Sequence, residues 1–345
     1  MKPWQLALSV VGVAIAVATL AFIITPKQGS FLQSSIISED YLEFIEFLVK
    51  HGKVYSTSQE FMIRQNLFYE AKKNIEIANS REGITHKLGL NKFADWTDEE
   101  YKSLLKNKPE PVQRIITQHS HYKVGELPQK VDWREQNAVN PIQDQGKCSS
   151  SYAFSAVATI EGHHAINQGV LMKFSEQQII DCTGGDYKCE GCSGGRVSDT
   201  LRYNYYYGMM NGSYYPYRGY DQTCLYDKSK ATVFTKSIEY LSTRSITDLF
   251  WAVTIGPVSV SIDASSDDFR YYKHGIFTGF CTADQLTHAL TVVGYDITRG
   301  YDTGYFIVRN SWGVSWGEDG YIRMAVSAGD GVCGMLIQPL YPITD

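Results

Sequence analysis

The 345-residue chain contains no internal repeat and no low-complexity tract, so repeat arrays and disordered scaffolds are excluded. It lacks a strong excess of either charge. Its 37 acidic and 32 basic residues give a net charge of −5, which argues against nucleic acid as a partner. Metal-ligand spacing is scarce too. Cys189-Glu-Gly-Cys192 has no second ligand pair in range, and the adjacent His163 and His164 point to different sides of a helix. No metal or cofactor is therefore expected. What remains is ordinary globular material, 43% apolar and 20% charged, long enough for one large or two small domains. Its 24 tyrosines are a tendency of secreted or vacuolar hydrolases.

There is one long apolar run, Leu6 to Thr25, with Lys2 before it and Lys27 after. It directs the chain to the secretory route. Ala14/Ala16 or Ala16/Ala18 would suit cleavage of a signal peptide within residues 1–26, while the length of residues 6–25 would suit a membrane anchor; both readings stand. Residues 37–105 are helical in pattern and rich in charge, with Glu60, Arg64, Phe68, Ile75 and Asn79 close to one helical stripe. Residues 106–126 lose that periodicity and read as an exposed linker. Farther on come the strand-like runs Val258–Ile262, Ala289–Val293 and Tyr305–Val308.

The stretch from Gln145 to Ser155 runs a glycine-containing turn into an amphipathic helix. Phe154, Val157, Ala158, Ala165 and Ile166 recur at mixed three- and four-residue spacing, and Gly169 offers a stop. Ser151 then sits at a helix N-terminus, where unpaired N–H groups and the helix dipole favour an anion.

This stretch, Cys148-Ser149-Ser150-Ser151-Tyr152, resembles the nucleophile segment of the papain-like cysteine peptidases of cathepsin L type, which reads C-G-S/A-C-W/Y. Two positions depart from it: Ser151 stands where the family has its nucleophilic cysteine, and Ser149 where it has glycine. The helical stripe is similar to the family's propeptide signature, with Ala71 in place of an asparagine, and Gly89-Leu-Asn91-Lys-Phe93-Ala-Asp95 matches the second propeptide signature. Leu127 to Arg134 resembles the mature N-terminus. Thr287-His288-Ala289 and Asn310-Ser-Trp312 match the motifs of the catalytic histidine and its orienting asparagine; His288 follows Ser151 by 137 residues, within the usual window of about 130–150.

The resemblance implies an α+β fold of two lobes, one helical and one β-barrel-like, in residues 127–345. It also implies a helical inhibitory propeptide in residues 37–105, laid through the cleft in reverse and released by cutting in residues 106–126. The implied site comprises Ser151, His288, Asn310 and the oxyanion-hole donor Gln145. Gly194 and Gly195 would bind an extended peptide as an added strand, and Arg196, Val197, Ser261, Ala289 and Gln338 would select side chains. Arg196 is unusual there: it would either repolarise the pocket towards acidic or polar side chains or swing into solvent. The implied disulfides are Cys148–Cys192, Cys182–Cys224 and Cys281–Cys333, leaving Cys189 as a free or intermolecular thiol. Expected partners are a peptide or protein chain in the cleft and the propeptide itself; the expected location is lysosomal, vacuolar or extracellular. Asn211-Gly-Ser213 is a glycosylation motif consistent with that route.

Serine changes the chemistry. A cysteine beside histidine works as a preformed thiolate, whereas a serine alcohol must be deprotonated during attack. Its histidine would here be supported by a neutral asparagine, not a carboxylate. Three readings follow: a weakly active or inactive peptidase relative that binds peptides, an active endopeptidase with a Ser-His-Asn site, or a scaffold like the silicateins, papain relatives that share the Ser-Tyr pair.

Overall fold

The computed structural model describes residues 38–108 and 127–345; the apolar run at 6–25 and most of the expected linker lie outside them. Residues 48–345 form one compact unit, and the residues before 48 are grouped separately. Helix α1 (Glu39–His51) opens the described chain, followed by α2 (Ser58–Asn79), β1 (His86–Leu88) and α3 (Asp98–Lys102). α2 starts where Thr57 accepts the N–H of Glu60. Phe68, Ala71 and Ile75 are buried on one of its sides, while Arg64 pairs with Glu100 at 2.7 Å. At its C-terminal end Asn79 acts as a short strand edge. Its Oδ1 accepts the Leu88 N–H at 2.9 Å and its Nδ2 donates to the Leu88 carbonyl at 3.0 Å, which holds β1 in place.

The remaining chain contains β2 (Lys130–Asp132), α4 (Ser151–Gln168), α5 (Glu176–Cys182), α6 (Val197–Tyr207), β3 (Met209–Met210), β4 (Ala231–Val233) and β5 (Thr235–Tyr240). It continues through α7 (Ile246–Ile255), β6 (Val258–Ile262), α8 (Asp267–Arg270), β7 (Tyr272–Phe277), β8 (His288–Asp296), β9 (Tyr305–Arg309), β10 (Tyr321–Ala325) and β11 (Leu340–Thr344). Helices α4 to α6 make one lobe. The other is a sheet in the order β1-β7-β10-β9-β8-β6-β11-β5, with β2 beside β8. Every described pairing in it is antiparallel except β7 with β10. β1 is the outermost strand at one end, His86 opposite Gly275 and Lys87 opposite His274, so the propeptide extends the sheet that it covers.

The mixed spacing of α4 has a physical cause. Its first thirteen residues, Ser151 to His163, are all buried, because the helix packs on α5 and α6 on one side and on β8 and β11 on the other and has no broad solvent face. Gly169 ends it in the left-handed region at φ 72°, with its N–H on the Ala165 carbonyl. Disulfide Cys148–Cys192 ties the entry of α4 to the loop that leads into Gly194; Cys182–Cys224 and Cys281–Cys333 tie loops in either lobe.

Replacing Asn79 with alanine removes both bonds to Leu88 and leaves a strand N–H and carbonyl unmatched. The full chain is expected to lose about 2 kcal/mol in denaturant titration, with faster amide exchange at Leu88; an unchanged midpoint would show that β1 does not depend on Asn79.

Candidate active site

α4 begins without a side-chain cap. Ser150, at φ −110° and ψ 18°, makes no capping bond and instead meets the Tyr217 hydroxyl at 3.0 Å. The first helical N–H groups therefore keep their partial positive charge at Ser151. Ser151 is fully buried, and its Oγ accepts the backbone N–H of Ala289 at 3.2 Å.

His288 opens β8 directly beside that N–H. Its Nε2 lies 2.9 Å from Asn310 Oδ1, which also accepts the Ser311 N–H at 2.7 Å. An acceptor on that side assigns the proton to Nε2 and leaves Nδ1 as the basic nitrogen. Nδ1 is buried and has no hydrogen-bond partner. The imidazole is packed against Trp312, ring centroids 4.6 Å apart. Burial lowers its pKa from 6.5 to about 4, against a smaller upward pull from Asn310. The histidine is thus a neutral base with no hydrogen bond from the serine hydroxyl.

Gln145 is held on both sides of its amide. Its Oε1 accepts Ser311 Oγ at 2.7 Å and its Nε2 donates to the Cys148 carbonyl at 2.8 Å. Ser151, His288, Asn310 and Gln145 therefore share one buried cluster around the α4 N-terminus and the start of β8.

The propeptide covers this cluster. Phe93 packs edge-on to Trp312 at 5.0 Å, Asn91 Nδ2 donates to the Arg270 carbonyl at 2.8 Å, and Asp95 pairs with Lys53 at 2.7 Å. The chain then crosses the groove from Leu104 to Lys108. Ser149 Oγ donates to the Leu104 carbonyl at 2.8 Å and accepts the Lys106 N–H at 3.0 Å. The Asn107 N–H donates to the Thr287 carbonyl at 3.0 Å and the Lys108 N–H to the Gly195 carbonyl at 2.8 Å, while Lys108 Nζ pairs with Glu190 at 2.6 Å. Lys106 and its two followers, expected in the linker, are held in the groove; residues 109–126 lie outside the described residues.

The expected side-chain selectors divide. Ser261 meets Asn107, its Oγ accepting Nδ2 at 3.1 Å, and Gln338 shares a groove wall with Leu105, Asn107 and Leu286. Gly194 passes so close to the Lys106 carbonyl that a Cβ there would clash, and its φ of 104° favours glycine independently. Val197 and Ala289 belong to a buried apolar cluster with Tyr152 and Leu201. Arg196 turns back along its own helix, 4.0 Å from Asp199, three quarters covered. Cys189 is free and buried, donating weakly to the Arg196 carbonyl at 3.7 Å, and burial pushes its thiol up to about 11, which makes it a poor nucleophile. Reasoning from the sequence did not single out Asn107 or give Ser149 a role; Ser149 was visible only as a serine where the resembling family has glycine.

Comparison with known proteins decides the family. The family described as "Papain family cysteine protease" matches residues 127–343, and the "Cathepsin propeptide inhibitor domain (I29)" matches residues 44–101. The chain belongs to the papain family. Its papain-family relatives include fruit bromelain of Ananas comosus, 36% identical over 307 residues, covering 87% of this chain and 85% of bromelain. A senescence-specific cysteine protease of Arabidopsis thaliana is 39% identical over 312 residues, covering 86% and 88%. Among solved structures, a recombinant stem bromelain precursor superposes with a TM-score of 0.80 at 34% identity, covering 88% of this chain and 99% of that one. Digestive procathepsin L 3 of Tenebrio molitor larval midgut gives 0.80 at 33%, with the same coverage. The papain-like α+β fold with its N-terminal propeptide follows from these matches, and peptide-bond hydrolysis is the family's reaction. The three disulfides fit the secretory route.

Covering a papain-family histidine has a pH consequence. Between pH 6.5 and 4 an uncovered imidazole takes up a proton that buried His288 refuses, so its contribution to the closed chain is complete above pH 6.5 and is lost as pH falls towards 4. A His288→Gln chain is expected to lose roughly 2–3 kcal/mol less than the parent over that interval, measured by denaturant titration. Equal losses would show that His288 is not the group responsible.

Proposed function

We propose that this papain-family protein is a peptide-binding relative with little or no hydrolytic activity. Ser151 stands at the nucleophile position, with His288, Asn310 and Gln145 in the family's supporting roles. The observation that supports this reading is the disposition of Ser151 Oγ: it accepts from the Ala289 N–H, while His288 Nδ1 has no partner. A serine alcohol needs a base to remove its proton in the attack, and a histidine supported by neutral Asn310 stabilises an imidazolium less than one supported by a carboxylate. The groove itself is complete, with Gly194 and Gly195 on one side and Ser261 and Thr287 on the other.

In this reading, residues 1–26 are a secretory leader or membrane anchor, residues 37–108 a propeptide that occupies the cleft, and residues 109–126 the segment cut on processing. The location that suits it is a vacuole, a lysosome or the cell exterior. Gln338 and Ser261 select side chains; Arg196, drawn towards Asp199, does not charge the pocket. A silica-condensing role draws on the Ser151-Tyr152 pair, and Tyr152 does not favour it, being fully buried with its hydroxyl on the Gly191 carbonyl at 3.1 Å.

Hydrolysis of a fluorogenic peptide by the processed protein tests the reading. The parent and Ser151→Ala are expected to agree within about threefold, and Ser151→Cys to exceed both by about 100-fold or more. A parent well above the alanine variant would establish a serine-type endopeptidase instead.

A further inference from the structure

Inside the groove, one side chain of the propeptide is read by two hydrogen-bond acceptors. Asn107 is 8% exposed and Ser261, on β6, is 4% exposed. Asn107 Nδ2 donates both to Ser261 Oγ and to the Leu286 carbonyl, each at 3.1 Å. The backbone on either side of it is fixed independently: Ser149 Oγ brackets Leu104 and Lys106, the Thr287 carbonyl takes the Asn107 N–H, and the Gly195 carbonyl takes the Lys108 N–H. Asn107 is therefore delivered to the pocket in one register.

We propose that the Ser261–Leu286 wall is a pocket that reads a neutral side-chain N–H donor, and that an extended chain presenting asparagine is the ligand class this groove selects. This rests on the reading of the groove as a peptide-binding cleft. The Leu286 carbonyl can only accept, so it requires a donor. Aspartate would set a carboxylate oxygen against that carbonyl, and the serine hydroxyl could satisfy only one of its oxygens. Leucine would offer neither group anything and bury both without a partner, a loss comparable to a missing hydrogen bond. An amide nitrogen supplies both bonds without bringing a charge into the pocket, while Asn107 Oδ1 is buried without a partner, so the donor half of the side chain is what the pocket reads. The selectivity is thus built from unmatched polar groups that penalise the wrong side chain, more than from shape.

Amide hydrogen exchange on the full chain tests this, in a Ser151→Ala background so that no hydrolysis intervenes. Protection at Lys106 and Lys108 reports occupancy of the groove, and protection at Val260 and Val292, in the β6–β8 ladder, reports the fold. Asn107→Asp and Asn107→Leu are each expected to lower protection at Lys108 about tenfold or more. Ser261→Ala should lower it about fivefold when residue 107 is asparagine and leave the Asn107→Leu chain unchanged. Ser149→Gly should weaken Lys106 while preserving the asparagine-over-leucine ranking. Leucine or aspartate protected as well as asparagine, or Ser261→Ala acting equally on the Asn107 and Leu-substituted chains, would overturn the donor-reading pocket alone. A Ser151→Ala chain with Lys106 and Lys108 unprotected would overturn the peptide-cleft reading as well.

Discussion

The groove depends on one contact, the burial of the α4 N-terminus against the first residues of β8. Ser151 Oγ accepts the Ala289 N–H, and one helical turn later Ser155 Oγ donates to the Leu290 carbonyl at 2.6 Å. These two serines align the helix with the strand. Because His288 immediately precedes Ala289, the same alignment sets the histidine beside the helix start. Asn310 is carried in from the end of β9, the neighbour of β8 in the sheet. Helix dipole, base and orienting amide meet because a helix buried almost all round has only one way to lie on that sheet.

The propeptide acts on this junction at two points. Phe93 abuts Trp312, and Trp312 lies against the His288 ring, so the turn between β1 and α3 reaches the histidine through two aromatic contacts. The extended part closes the groove through backbone bonds to both lobes. Together they remove water from His288, and the resulting desolvation keeps it neutral. Occupation of the groove and the protonation state of His288 are therefore consequences of one packing arrangement.

Much of the fold was legible in the sequence. Strand β6 falls on the expected Val258–Ile262, and the runs at Ala289 and Tyr305 lie within β8 and β9, because a buried strand of β-branched residues declares itself locally. Asn79, Asn91 and Asp95 could be named because they match short propeptide signatures of the resembling family. The polar contacts that occupy the groove could not. Ser149 meets a residue 43 positions away, and Asn107 meets partners 154 and 179 positions away, so no local period records them. Residues 106–108 looked like linker because an extended segment bound through its backbone needs no apolar pattern. For Arg196 the sequence left a pocket-facing and a solvent-facing side chain open; it stands at the N-cap position of α6, with its guanidinium 4.0 Å from the Asp199 carboxylate.

We propose that the Ser151 hydroxyl is not activated by His288, whose Nδ1 takes no hydrogen bond from it. Labelling of the processed protein by a fluorophosphonate, which reports an activated serine independently of any peptide substrate, tests it most directly. No labelling above that of a Ser151→Ala control is expected. Stoichiometric labelling located at Ser151 would contradict it and make the site a serine-type catalytic centre.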